Sequence, residues 1–177
     1  MGSKVASRYA QALLDLAVEK NSLEKVNADM VNLSEVCSDS KDLTGVLKSP
    51  VISPFKKVEI LQSIFGKQMT EMSLAFMSLI VKNSRANILP EIAESFIALT
   101  KKHNHILDVY LTSATVLDGS VKEVILKKIL AKHSGTVNLI EKIDPSLIGG
   151  FVVRMEDEQL DASIANQLTN LKNLLLN

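Results

Sequence analysis

Aromatic residues are scarce. Trp is absent, and two Tyr and five Phe bring the aromatic share to only 4%, so a core has to be built from aliphatic side chains. The single cysteine, Cys37, excludes an internal disulfide and a thiolate metal cluster, and reads as a packed apolar side chain in reducing surroundings. Seven Gly and four Pro are few for a turn-rich all-β chain and favour long helices. No apolar run approaches the ~18 residues a membrane span requires, and the amino terminus lacks a basic-then-apolar signal segment. Charge of either sign is not in excess: 20 basic and 20 acidic residues cancel, and neither side of His105 carries a large surplus. Nothing draws the chain globally toward nucleic acid.

What is present suffices for one medium domain or two small ones: 177 residues, 46% of them apolar. The first part reads as helices separated by short punctuation. Val5, Tyr9, Ala12, Leu13, Leu16 and Ala17 recur at three- and four-residue steps between Ser3 and Asn21, and so share one side of a first helix. Ser22 opens a second, striped by Leu23, Val26, Met30, Leu33 and Cys37. A short third helix around Leu43 to Leu47 has to end before Pro50. Ser53 as cap and Pro54 at the first helical position start the fourth, which stops at Gly66. Met69 to Ser84 forms a strongly apolar fifth, and a sixth runs from near Asn87 to Asn104. Six helices in this length predict a compact bundle over residues 1–105.

At His105 the period changes. Leu107, Val109 and Leu111 alternate with Asp108, Tyr110 and Thr112, which predicts a strand. An amphipathic helix closed by Gly135 follows, then the strand TVNLIEKI, a turn at Asp144–Pro145, the strand GGFVVRM, a turn at Glu156–Asp157–Glu158 and a closing helix. The expected fold is mostly α, with a six-helix bundle followed by a small α+β domain, β-α-β-β-α, over residues 106–177.

Sites for chemistry are missing from this pattern. Gly149–Gly150 precede a strand rather than a helix and have no partner lysine, so they read as a strand bend and not a phosphate loop. Glu156, Asp157, Glu158 and Asp161 lack the alternation and turn glycine of a calcium loop. They read as a solvated hairpin tip plus a helix-start aspartate; a metal-dependent enzyme built on these four carboxylates is the weakest alternative. His103, His105 and His133 have no ligand spacing, no serine stands in a nucleophile setting, and Lys122, Lys127, Lys128 and Lys132 read as a solvated helix side. No cofactor, metal or catalytic residue is expected. The pattern is that of a chain that binds proteins.

Three stretches carry a family resemblance: YAQALLDLAVE near the start, KNSRANILPEIAESF in the middle, and IDPSLIGGFVVRMEDEQLDASIANQLTNLKNLL at the end. Together, and in this order, they resemble the delta subunit of F-type ATP synthase, the family of the mitochondrial oligomycin-sensitivity-conferring protein. The resemblance implies a non-catalytic stator component with no cofactor. Its amino-terminal domain would receive the amino-terminal helices of alpha subunits of the catalytic head. Its carboxy-terminal region would engage the b subunits of the peripheral stalk, coupling proton transport to ATP synthesis. By position, the head-binding groove between the first and fifth helices would use Tyr9, Ala12, Leu16, Ala75 and Leu79, each of which could instead face the bundle core. Ile164, Leu168, Leu171 and Leu175 form a closing stripe, either packed on the small sheet or waiting for a b-subunit helix. Two departures from the family pattern stand out: Ser84 replaces a common glycine in the Asn-Gly-Arg segment, and Met69, Met72 and Met77 are expected to make the fifth-helix surface more adaptable. The implied location is peripheral, on the cytoplasmic face of a bacterial inner membrane, with membrane association only through the complex. A generic helical adaptor of another complex is the alternative reading.

Overall fold

The computed structural model describes residues 3–115, 119–132, 135–145, 147, 149–155 and 158–163. The chain divides into two compact units, residues 1–100 and 101–177.

Within the first unit the helices are α1 (Lys4–Glu19), α2 (Leu23–Asp39), α3 (Lys41–Lys48), α4 (Pro54–Phe65), α5 (Glu71–Lys82) and α6 (Leu89–His103), the last preceded by a 3-10 turn over Ala86–Ile88 and passing at its end into the second unit. Capping explains where α1, α3, α4 and α5 begin. The side chains of Ser3, Ser40, Ser53 and Thr70 each accept a hydrogen bond from the backbone N–H three residues on, satisfying a donor that the helix itself leaves orphaned. Pro54 occupies the first turn of α4, where its missing N–H costs nothing. At the far end of α3 the buried Lys57 takes the capping role, its Nζ donating to the carbonyls of Leu47 and Ser49, both at 2.8 Å.

All six helices contribute to one core, mainly aliphatic but with Phe65 and Phe96 as its largest fully buried side chains; it also includes Leu13, Met30, Leu33, Leu47, Met77, Ile80 and Ile92, each at most 2% exposed. Each such side chain contributes about 1.5–3 kcal/mol of burial. Cys37 belongs to this core, and burial pushes its thiol pKa up. Asp29, like Lys57, is a buried charged residue that links two helices. Asp29 of α2, 6% exposed, accepts from Thr70 N (2.9 Å), Thr70 Oγ1 (2.6 Å) and Ser73 Oγ (2.6 Å). The carboxylate thus sits at the amino end of α5, where the helix dipole favours negative charge.

Among the described residues three non-glycine residues adopt positive φ, each two places past a helix end: Asn21 (φ 49°) after α1, Ser84 (φ 58°) after α5 and His105 (φ 52°) after α6. After α5, Ser84 N donates to Val81 O and Arg85 N to Ile80 O, the paired bonds that close a helix through a left-handed residue. A Cβ in this left-handed conformation costs about 1–2 kcal/mol. Ser84→Gly should therefore raise the stability of the first unit by about 0.5–1 kcal/mol, the gain reduced by glycine's freer unfolded chain. A thermal midpoint equal to or below that of the parent chain would refute the strain.

The second unit is a four-stranded sheet in the order β2-β1-β3-β4, with β1 (Ile106–Ser113), β2 (Thr136–Ile143), β3 (Gly150–Met155) and β4 (Glu158–Ser163). β1 and β2 run parallel from the Ile106–Thr136 pair, joined through helix α7 (Gly119–Lys132); β3 is antiparallel to β1 and β4 to β3. One sheet face buries Val109, Leu111, Val153 and Met155 against Ile129 of α7. Gly135 lies so close to the chain that a Cβ would meet His105 O at 2.2 Å, the same oxygen that accepts Thr136 N as the parallel pair begins. Gly150 opens β3 at φ +84°, a conformation that side-chain-bearing residues rarely adopt, so this glycine serves the strand start.

The sheet departs from the expected β-α-β-β-α order. Residues 158–163, read from sequence as turn and helix start, form β4, and Asp161 pairs with Val152 rather than opening a helix. Edge-strand pairing with β3 outweighs the Asp-x-Ser helix signal. Glu156, Asp157, and the proposed closing helix with its stripe at Ile164, Leu168, Leu171 and Leu175, lie outside the described residues.

Where α6 meets β1, Lys101 Nζ lies 2.6 Å from Asp108 Oδ2, and Asn138 Nδ2 donates to Asp108 Oδ1 at 2.8 Å. Burial pushes the Asp108 pKa up, but the bonds from Lys101 and Asn138 and the lysine charge outweigh it and hold the pKa below the ordinary carboxylate value. A carboxyl whose pKa is depressed on folding adds stability above its unfolded pKa, and that stability is lost as pH falls through the folded value. Lys101→Met should raise the Asp108 pKa in an NMR titration and cost under about 1 kcal/mol at neutral pH, the pair being partly exposed. An unmoved Asp108 titration would contradict this account.

Candidate partner-binding surface

The α1 stripe divides in two on folding. Ala6, Ala10, Leu13, Leu14 and Ala17 are buried, while Val5 and Leu16 are each 39% exposed, Ala12 is exposed and Tyr9 half-buried. On α5 the buried set is Ser73, Met77, Ile80 and Val81; Leu79 is 53% exposed and Ala75 is exposed. Ala12, Leu16, Ala75 and Leu79 are therefore not spent on the core, while Tyr9 packs partly against it and keeps part of its surface outside. The methionines do not follow the expectation of an adaptable surface. Met69 and Met77 are buried and Met72 is half-buried, so this sulfur chemistry fills the core.

Two contacts set α1 and α5 side by side. Arg85 Nη1, just past α5, donates to Tyr9 Oη at 2.6 Å, and its guanidinium carbon lies 5.5 Å from the Tyr9 ring centroid, within cation–π range. At the opposite end, Ser22 Oγ, just past α1, approaches Met72 Sδ at 3.9 Å. The residue number rises along one helix as it falls along the other, and the same number of residues separates the two contacts on each. The two contacts join opposite ends of α1 and α5, as helices running antiparallel require. Small Ala12 and Ala75 leave room beside aliphatic Leu16 and Leu79, the composition that lets another helix come close. At the Arg85 end lies a depression of about 320 Å³ lined by Val5, Arg8, Tyr9, Ala12 and Arg85.

Among the described residues no three His, Cys, Asp or Glu side chains gather as a metal site, and no helix is long and apolar enough to cross a membrane. Lys122 of the basic α7 side is ion-paired with Glu141 at 2.7 Å. Sequence reasoning did not single out Arg8 or Arg85. Their signal was present, as an arginine directly after the α5 punctuation and another one position before the key tyrosine, but only tertiary proximity makes them neighbours.

The family model of the ATP synthase delta (OSCP) subunit matches residues 5–175. The chain belongs to this family. It is 34% identical to ATP synthase subunit delta of Cytophaga hutchinsonii over 171 residues, covering 97% of this chain and 93% of that protein. It is 38% identical to ATP synthase subunit delta of Chlorobaculum parvum, with 99% and 98% covered, and 33% identical to the chloroplastic subunit delta of Ochrosphaera neapolitana, with 98% and 97% covered. Among solved structures, a chain of the Toxoplasma gondii mitochondrial ATP synthase hexamer superposes with a TM-score of 0.75 over 99% of both chains at 24% identity, a likeness of fold.

Proposed function

We propose that this delta-family chain is a non-catalytic stator subunit of F-type ATP synthase, with the α1–α5 surface gripping amino-terminal helices of alpha subunits in the catalytic head. The observation that supports this most is the α1–α5 pair itself. Tyr9, Ala12, Leu16, Ala75 and Leu79 stay accessible beside a filled core, as a docking groove for an amphipathic helix requires. The second unit, with the segment bearing Ile164, Leu168, Leu171 and Leu175, engages the b subunits of the peripheral stalk. Attachment to the cytoplasmic face of a bacterial inner membrane then comes only through the complex.

The role is mechanical. A rotor turning inside the head exerts torque on it, and a clamp from head to stalk keeps the head from turning with the rotor, provided that dissociation is slow. A nanomolar interface, worth about 12 kcal/mol, is adequate. The test is a calorimetric titration of this chain into an ATP synthase head stripped of its delta subunit. Tight one-to-one binding is expected. No heat and no comigration, with the chain demonstrably folded, would sink the reading and put a helical adaptor of another complex in its place.

A further inference from the structure

We infer that the α1–α5 groove ends in a carboxylate-binding clamp made by Arg8 and Arg85, and that the docked helix carries an acidic residue one turn from an apolar anchor. The inference rests on the groove reading above and adds the chemistry of the partner.

The depression at this end pairs an apolar floor with two cations. Val5, Tyr9 and Ala12 supply the floor, and Arg8 and Arg85 are the only charged side chains in its lining. Among the described residues neither Arg8 nor Arg85 takes part in an ion pair. Glu91, the carboxylate bonded at the start of α1, is engaged by Ser3 N at 3.3 Å. Arg85 is also held in place. Its bond to Tyr9 Oη and its position over the Tyr9 ring use one N–H and leave the others free, so the guanidinium fork is pre-set for a bidentate carboxylate.

An apolar side chain of a docked helix fits the slot between Val5 and Ala12 beside the Tyr9 ring. Residues three or four positions from that anchor share its helix face, which places an Asp or Glu there against Arg8 and Arg85. Because only one end of the groove is clamped in this way, the carboxylate also fixes which way the helix lies. Charges at an interface rim act mainly on orientation, association rate and salt dependence, while the aliphatic middle supplies the affinity.

The experiment uses the full chain and a synthetic peptide of the amino-terminal segment of the alpha subunit from the same source, titrated at low and high salt. Arg8 makes no side-chain bond among the described residues, so Arg8→Gln is the clean variant. It should weaken binding about five-fold at low salt and reduce the salt dependence, and Arg8→Lys should restore most of both. Changing one acidic peptide residue to its amide should cost the parent chain a similar factor and cost Arg8→Gln little. Parent binding with the same affinity and salt dependence in Arg8→Gln and Arg85→Gln, yet lost in Leu79→Asp, overturns the clamp and leaves the groove standing. No binding by the folded parent chain overturns both.

Discussion

Asp29→Ala is expected to destabilise the first unit by about 3 kcal/mol, counting about 1 kcal/mol for each of the three hydrogen bonds lost to one carboxylate oxygen. The change leaves the Thr70 N–H and the hydroxyls of Thr70 and Ser73 without their acceptor, and Ser73 is 0% exposed. It also removes a negative charge from the amino end of α5. For a unit of this size the loss corresponds to a fall of roughly 10–20 °C in thermal midpoint. An asparagine at this position keeps one oxygen able to accept while losing the charge, so Asp29→Asn should cost about half as much. Urea unfolding of the three proteins checks the order. A loss below about 1 kcal/mol for the alanine variant would mean that water or turned hydroxyls replace the carboxylate. If α5 grips the head as proposed, the consequence extends to binding, because α5 carries Ala75 and Leu79.

Leu79→Asp should weaken binding to the ATP synthase head by about 2–3 kcal/mol, roughly 30- to 150-fold, and leave folding almost untouched. The separation of the two effects comes from position. Leu79 is 53% exposed, so a carboxylate there remains solvated in the free chain, where surface changes stay within about 0.5 kcal/mol. In the complex it would be desolvated against an apolar partner face without a counter-charge. Ile80, its neighbour, is 0% exposed, and Ile80→Asp should do the reverse by unfolding the unit. Calorimetry paired with thermal unfolding tests both. Unchanged affinity in a folded Leu79→Asp chain would remove α5 from the grip.

Much of the first unit was legible because helix signals are local. Ser3, Ser53, Pro54 and the apolar stripe of α2 lie in the sequence where they act in the fold, and the change of period near His105 marks the start of β1. The division of the α1 stripe was not legible. Val5, Leu13, Leu16 and Ala17 are equally apolar on a helical wheel, and only the neighbours packed on α1 determine that Leu13 and Ala17 are buried while Val5 and Leu16 are not. Met69 and Met77 were misread for the same reason. β4 was missed because Asp161 and Ser163 imitate a helix start, although Leu160 and Ala162 alternate with Gln159 and Asp161 as a strand would; the register with β3 is a non-local interaction.

By itself, then, the sequence determined the family, the starts of α1 and α4, the mainly aliphatic composition of the core and the change from helical to strand period, because each depends on residues close together in the chain or on a pattern running its whole length. Tertiary structure alone decided which α1 and α5 side chains remain outside the core, how Asp29 meets Thr70 and Ser73, and how Arg8 and Arg85 come to flank one depression. Those depend on contacts between segments far apart in the chain, which packing sets and no local pattern encodes.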